Sequence, residues 1–194
     1  MSEDLVLKVG GALFRGWSEV SLQGSIRQLV RKCELKVSQT NPLPEEFGSL
    51  TPGAEFEVLI DGTPWLTGYI DRYRPSYNET SNSLKIAARS RVKDLVAGSV
   101  DIDAGEFSNY TLAAIARRVA QDFGINVVAE ADVGAAFADV TLQPSETAFA
   151  LLDRLARQRG VMLTDRPDGA LWMPGRNIKT VGRYTDSSTE VLSA

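Results

Sequence analysis

One group of acidic side chains, Asp101, Asp103 and Glu106, lies in the run DIDAGE. Carboxylates this close together could hold Ca²⁺ or Mg²⁺, because both ions take oxygen ligands. The run lacks the longer series of oxygen ligands at fixed spacing that an EF-hand loop requires. A solvated linker between two domains is therefore the favoured interpretation of this segment.

A second acidic group consists of Glu55, Glu57, Asp61 and Asp71. A pair of carboxylates is the machinery of most glycosidases, so a hydrolase is one interpretation of these residues. Glu55 and Glu57 alternate with apolar residues, however, and this pattern is typical of the solvated face of a β-strand. Only composition supports a glycosidase or a peptidase.

The residue types needed for nucleophilic or zinc chemistry are missing. The sequence has no histidine, which removes Ser-His-Asp and Cys-His arrangements and every histidine-containing metal site. Its one cysteine, Cys33, alternates with Leu35 and Val37 and is expected to be a buried small hydrophobic residue. Neither GxxxxGK[ST] nor GxGxxG occurs. We therefore expect no enzyme activity and no catalytic, cofactor-binding or metal-binding residue.

The charge balance limits the range of partners. The formal net charge is −4 and the pI is near 5.0, which argues against a dominant phosphate-binding surface. The sequence has two loose basic groups, and solvated faces are the favoured interpretation of both: Arg15, Arg27, Arg31 and Lys32, then Arg89, Arg91 and Lys93.

The sequence shows no membrane or export signal. No apolar run reaches the roughly 18 residues of a membrane helix, so no stable membrane insertion is expected. The acidic start, MSED, has no signal-peptide pattern, which predicts a protein that is made and kept in a cytoplasm-like compartment or secreted by a route that needs no leader.

The three tryptophans could stack on sugars or bases. Trp65 fits a core position in a strand, whereas Trp172 falls in a short hairpin that looks more open. Trp172 is therefore the residue on which a glycan-binding interpretation rests.

The stretch from Thr51 to Tyr73 predicts a β-hairpin. Asp61 and Gly62 form a dipeptide suited to a turn with positive φ angles. A two-residue loop would set Val58 opposite Trp65 and Phe56 opposite Thr67. The predicted common face carries four large side chains, Phe56, Val58, Trp65 and Tyr69.

Two further residues shape the second strand of this hairpin. Pro64 lacks an N–H group and cannot donate to a third strand at that point. Gly68 lies within the strand, where glycine usually marks a bulge or a bend. A bent strand favours a small closed barrel.

Other short apolar runs in the first hundred residues alternate with turn signals and favour an antiparallel barrel or sandwich. Predicted strands cover residues 5–9, 12–23 with a bulge at Gly16-Trp17, 33–37 and 83–89, and residues 91–96 predict a short helix. Residues 25–31 fit either a helical turn or a loop.

After Gly105 the apolar residues recur with the period of an α-helix. Residues 111–123 carry an apolar helical stripe that Thr111 would cap, and residues 146–159 carry another that Ser145 would cap. Short strands are predicted at 125–128, 161–164 and 170–173.

The two helical segments repeat at a spacing of 36 residues. An offset of 36 residues aligns Thr111 with Thr147 and Gly124 with Gly160. Two helix–Gly–strand units would pack as one small α/β domain. Duplication and convergence on a common pattern both explain the repeat.

The order of these segments resembles the baseplate hub proteins of Mu-like contractile-tail phages, the tail protein P family. The resemblance covers most of the chain and rests on short runs in a fixed order: Gly16-Trp17 with Val20 and Leu22, Leu35–Ser38, Pro52-Gly53, Val58–Gly62, Leu66–Asp71, Arg89-Ser90, Asp94–Val96 and Gly175–Lys179.

The resemblance implies a structural role. Hubs of this family are homotrimers whose two similar barrels per subunit form a ring that joins the hexameric tail tube to the trimeric spike. Here only the first barrel and the α/β region are expected, since the chain stops where a second barrel would begin. Tube, spike and other baseplate proteins are the expected partners, and sequence-specific nucleic-acid binding is not expected.

The sequence as a whole predicts an α+β protein. We expect an antiparallel β-barrel at residues 1–103, a small α/β domain at 104–176 and a segment at 177–194 that leads towards the missing barrel. The predicted function is a baseplate hub in the virion tail, assembled in the host cytoplasm. The alternative is a cell-wall glycan-binding module.

Overall fold

A computed structural model describes residues 4–25, 28–39, 47, 50–77, 82–99, 106–175 and 191–193. Thirteen strands occur in these ranges: β1 (Leu5–Val9), β2 (Ala12–Phe14), β3 (Glu19–Ser25), β4 (Gln28–Gln39), β5 (Glu55–Ile60), β6 (Thr63–Tyr77), β7 (Asn82–Ser90), β8 (Glu106–Tyr110), β9 (Val127–Ala129), β10 (Phe137–Thr141), β11 (Thr164–Asp165), β12 (Leu171–Met173) and β13 (Val191–Ser193). Three helices accompany them: α1 (Lys93–Ala97), α2 (Leu112–Gln121) and α3 (Ala148–Arg159).

The chain divides into two compact units between Arg91 and Val92. The first contains β1–β7 and β13, and the second contains α1–α3 and β8–β12. This is the predicted α+β class. The boundary at residue 103 and the segment at 177–194 stay predictions, and most of that segment lies outside the described residues.

The first unit is one eight-stranded sheet in the order β13-β3-β4-β7-β6-β5-β1-β2. Every neighbouring pair in it is antiparallel. Segments 12–14 and 19–25, predicted as one bulged strand, form two strands at different places in the sheet. The closure of this sheet into a barrel stays a prediction.

The hairpin of β5 and β6 has the predicted turn but not the predicted register. Asp61 and Gly62 have φ angles of 47° and 76°, as the Asp-Gly dipeptide requires. Beyond the turn, a bulge shifts the pairing so that Val58 lies opposite Leu66. The predicted pairing of Val58 with Trp65 is therefore wrong.

This shift changes which side chains enter the core. The slip moves Tyr69 off the predicted common face, because side chains alternate along a strand. Leu66 and Ile70 are fully buried beside Phe56 and Val58, and Trp65, the extra residue of the bulge, is half-buried against the same core.

Of the two predictions for Gly68, the bulge is wrong, and the bend stays a prediction. One register shift of β6 lies opposite Val58 and Leu59 of β5, and the other lies between Ile70 and Arg72. Glycine is required at position 68 because the backbone of β7 approaches it closely. A Cβ atom there would lie 1.9 Å from the carbonyl oxygen of Arg89, so only glycine allows this approach of β6 to β7.

The core of the first unit lies on one face of the sheet. Three aromatic rings extend it beyond the strands, with Phe14 and Trp17 both in edge-to-face contact with Phe47 at centroid distances of 5.3 and 5.9 Å. Cys33 is buried in this core, as its alternating position predicts.

An arginine bridges two strands that are not neighbours. Arg31 on β4 donates a hydrogen bond of 2.7 Å to the carbonyl oxygen of Trp65 on β6, and its guanidinium lies 5.7 Å from the centre of the Trp65 ring. Strand β7 lies between these two strands in the sheet order, so the Arg31 side chain spans one strand.

The helices of the second unit have equivalent N-caps. The Thr111 hydroxyl accepts a hydrogen bond from the backbone N–H of Ala114, and Thr147 accepts one from Ala150. The sequence predicted Ser145 as the cap of α3, and this prediction is wrong. Ser145 lies in the turn before the helix with a φ angle of 63°.

The strands of the second unit form two small sheets. β9 pairs in parallel with β12, which also pairs antiparallel with β11. β8 and β10 form a separate antiparallel pair that sequence reasoning missed. The predicted strand at 161–164 is shorter and later, at Thr164–Asp165.

Candidate assembly surfaces

Two of the predicted carboxylates lie on the solvated face of the sheet, each with its own cation. Glu55 pairs with Arg91 at 2.7 Å, and Glu57 pairs with Lys8 at 3.3 Å. The two partners come from different segments, and the Glu55 side chain is 64% exposed. Glu55 and Glu57 therefore belong to a charge-paired wall, as their alternation predicts.

The remaining two carboxylates of that group are also engaged. Asp71 forms an ion pair with Arg89 across β6 and β7. Asp61 accepts a hydrogen bond of 2.9 Å from the backbone N–H of Asp4, which ties the start of β1 to the hairpin turn. In the contacts given above, each of the four carboxylates has a different partner.

The side chains of the acidic group Asp101, Asp103 and Glu106 lie outside the described part of the structure. Asp101 and Asp103 lie outside the described residues, and Glu106 is described only as the first backbone position of β8. Within the described part of the chain, no three His, Cys, Asp or Glu side chains gather into a metal-binding cluster.

The basic residues of the first group are separated. Arg15 pairs with Asp4 at 3.5 Å, and Arg31 binds the backbone of Trp65. Lys32 is exposed on β4, and Arg27 lies outside the described residues. The three described residues of this group do not form one continuous basic patch.

Further ion pairs cover the solvated face across the middle strands. Lys36 on β4 pairs with Glu19 on β3 at 2.6 Å, and Lys85 on β7 pairs with Glu34 on β4 at 2.8 Å. Exposed pairs of this kind contribute at most about 1 kcal/mol each. Their main effect is to give the sheet a hydrated outer wall.

The last strand at one end of the sheet offers a more distinctive surface. In the sheet order β2 has only β1 as a neighbour, and Leu13 on β2 is 53% exposed. A strand edge with free N–H and C=O groups is a template for pairing with another chain. Leu13 adds an apolar contact at the same place, so this edge is a candidate assembly surface.

The second unit has its own exposed apolar side chains. Tyr110 on β8 is 46% exposed and stands edge-to-face with the buried ring of Phe107 at 5.7 Å. Val96 on α1 is 43% exposed. Single exposed residues are ordinary on protein surfaces, so neither defines an interface by itself.

The tryptophans are mostly placed for packing. Trp17 is buried, and Trp65 is half-buried against the core of the sheet. Trp172 is half-buried in β12, the middle strand of its sheet, so its ring is only partly available for stacking on a sugar.

A charged network fixes the approach to α3. Arg154 donates to both carboxylate oxygens of Glu146, at 2.8 and 2.9 Å, and to the carbonyl oxygen of Thr141. These hydrogen bonds lower the pKa of Glu146, whose side chain is only 6% exposed, and raise the pKa of Arg154. The network therefore positions the chain between β10 and α3.

The helices in the described part of the chain are all too short to cross a bilayer.

An antiparallel sheet followed by a small helix–strand unit is a fold that this chain shares with phage tail proteins. The 43 kDa tail protein of prophage MuSo2 from Shewanella oneidensis is similar with a TM-score of 0.81 and 33% identity, over 89% of this chain and 53% of that one. A tail protein from Neisseria meningitidis MC58 has the same fold with a TM-score of 0.79 and 22% identity, over 93% of this chain and 52% of that one.

Both compact units have a sequence match. Residues 4–90 match the family described as Mu phage baseplate assembly protein GpP-like, N-terminal. Residues 92–175 match the second domain of the family described as baseplate hub protein gp44-like. Each of the two compact units thus matches a domain of Mu-like baseplate hub proteins.

A relative from Escherichia phage Mu, the baseplate hub protein gp44, is 34% identical over 174 residues. That match covers 88% of this chain and 45% of the relative. The chain thus spans about half the length of the relatives that it matches.

Proposed function

We propose that this chain is a structural baseplate hub of a contractile-tail phage or tail-like particle. Three copies would form a ring that joins the tail tube to the central spike, with other baseplate proteins around it. The chain would act by assembly and symmetry matching, without an enzymatic step. It would reside in the virion tail after assembly in the host cytoplasm.

The observation that carries this proposal is the succession of the two hub domains. The first-domain match ends at residue 90 and the second-domain match begins at residue 92, in step with the division between Arg91 and Val92. The proposed domains remain an N-terminal barrel at 1–103, an α/β domain at 104–176 and a segment at 177–194 that leads towards a second barrel.

The β2 edge supports self-assembly in a ring. A closed ring covers strand edges and apolar side chains that each copy would otherwise expose. Leu13 provides such a side chain on β2. The net charge of −4 suits a conduit for DNA, because like charges repel phosphate, so we expect no sequence-specific binding.

Light scattering of the purified chain tests the ring. A mass of three copies is expected, and Leu13→Glu should shift the protein towards the monomer. Gln23→Glu, an exposed polar position on β3, is the matched control and should leave the mass unchanged. A wild-type chain that stays monomeric at high concentration would contradict a self-sufficient ring.

A second measurement tests the conduit. Duplex DNA titrated into the chain at physiological salt should show no saturable binding. Tight binding would count against a channel that lets DNA pass.

A further inference from the structure

The solvated face of β4, β6 and β7 carries more positive charge than its own carboxylates neutralise. The described part of the first unit has seven acidic side chains, and six of them hold a lysine or an arginine in an ion pair. The seventh, Asp61, accepts a hydrogen bond from the backbone of Asp4. Every described carboxylate of this unit is therefore already engaged.

Three cations on this face have no such partner among the described residues: Lys32, Arg72 and Arg74. All three are exposed. Arg72 and Arg74 lie two positions apart on β6, after the register shift, and so they point to the same side of the sheet. The other described cations of the unit bind a carboxylate or, in the case of Arg31, a backbone oxygen.

Like charges face one another directly on this surface. Lys85 on β7 lies opposite Arg74 on β6 and opposite Lys36 on β4, and Lys32 lies opposite Arg89. Cross-strand neighbours of like charge destabilise a sheet. Lys85, Lys36 and Arg89 each hold a carboxylate, so the uncompensated charge of these pairs is that of Lys32 and Arg74, which an anionic partner would offset.

The surface is shaped as well as charged. A shallow depression is lined by Arg72, Arg74, Lys85, Glu34 and Ala87. Ala87 lies between Arg72 and Glu34 in one row across the three strands, and its small side chain leaves room there. Guanidinium groups can bind carboxylates through two parallel hydrogen bonds, and such a depression admits them.

We propose that Arg72, Arg74 and Lys32 form a receptor for a carboxylate-bearing segment of a different protein. A second copy of this chain is the less favoured occupant, because every described carboxylate of its first unit already has a partner and only its second unit could supply one. Nucleic acid is disfavoured because the site has only three free cations among carboxylates, whereas phosphate backbones are bound by broad basic surfaces. The receptor does not depend on the ring proposed above.

The test uses fluorescence anisotropy of a labelled oligoglutamate peptide with the whole chain at neutral pH and low salt. Saturable binding is expected, and Arg72→Gln with Arg74→Gln should weaken it about tenfold, the loss expected for two exposed charge-assisted pairs. The matched control, Lys8→Gln with Lys36→Gln, removes two cations that already hold carboxylates and should leave the affinity unchanged. Arg72→Lys with Arg74→Lys should bind at an intermediate level, because lysine keeps the charge without the bidentate geometry.

Four outcomes would overturn the proposal. The first is no binding of oligoglutamate, or equal binding of oligoglutamine. The second is equal weakening by the control pair. The third is tighter binding of a short DNA duplex that is lost in the Arg72→Gln, Arg74→Gln variant, which would assign the site to nucleic acid. The fourth is a fall in the mass of the chain caused by that variant, which would assign the face to a second copy.

Discussion

Gly68 on β6 faces the backbone of Arg89 on β7 so closely that a Cβ atom at Gly68 would lie 1.9 Å from the Arg89 carbonyl oxygen. The obstacle is backbone and cannot turn aside like a side chain. Gly68→Ala should therefore destabilise the sheet by more than about 3 kcal/mol, since the two strands would have to separate. Urea unfolding measures this loss.

Gly24 provides the control for that substitution. A Cβ atom at Gly24 would make ordinary contacts of 3.4 Å with Arg31 and 3.5 Å with Trp65. Gly24→Ala should change the free energy of unfolding by less than about 1 kcal/mol. Equal effects at both glycines would show that the Gly68 contact is not the cause.

Cys33 should be unreactive in the folded protein. Its side chain is buried, and burial raises the pKa of its thiol far above the ordinary value. Since the thiolate is the nucleophile, a thiol reagent at pH 8 should label Cys33 only when denaturant is added. Rapid labelling of the native protein would contradict the buried position.

Glu146 should make stability depend on acidity. Its folded pKa is lowered by Arg154, so its contribution is present above the unfolded pKa and is lost as the pH falls through the folded pKa. At pH 7, Glu146→Gln should cost about 2 kcal/mol, because a charged pair with an almost buried carboxylate is broken. The difference between wild type and variant should shrink below the ordinary pKa of a glutamate.

Asp153→Asn is the matched control for Glu146. Asp153 pairs with Arg157 one turn later on α3, and the arginine side chain is 79% exposed. Such a pair contributes about 0.5 kcal/mol or less. If Asp153→Asn lowered the free energy of unfolding as much as Glu146→Gln, the loss at Glu146 would come from the changed net charge and not from its pair with Arg154.

The two threonine caps should be equivalent in energy. Thr111→Ala and Thr147→Ala should each lower the free energy of unfolding by about 1 kcal/mol, since each leaves a helix N–H without its side-chain acceptor. Ser145→Gly should have no cost or a small gain, because its positive φ suits glycine. Thermal unfolding separates these outcomes, and a larger loss at Ser145 would restore it as the cap.

Local features of the fold were predictable from the sequence. The Asp61-Gly62 turn, the burial of Cys33 and the helix end at Gly160 follow from the few residues around each. The 36-residue repeat also indicates Thr147, which aligns with Thr111, whereas the helical stripe that starts at residue 146 favours Ser145 as the cap. Helix boundaries are uncertain by such margins when cap geometry is not visible.

Features that depend on strand register were not predictable. No residue type in the sequence marks the bulge beside Leu59, yet this bulge sets Leu66 opposite Val58 where Trp65 was predicted. β8 and β10 were missed because their alternation is weak and their pairing joins Phe107 to Val140, far apart in sequence. The basic receptor was missed for the same reason, since Arg72 and Arg74 meet Lys85 and Ala87 only through the register of β6 and β7.

The parallel pairing of β9 with β12 has a consequence for how the second unit forms. β9 hydrogen-bonds to a strand that is synthesised only after β10, α3 and β11. During translation, Val127–Ala129 must wait for Leu171–Met173 before its sheet exists. Contacts of such long sequence separation slow folding, so this unit should complete its structure late, as a single event near the end of its own synthesis.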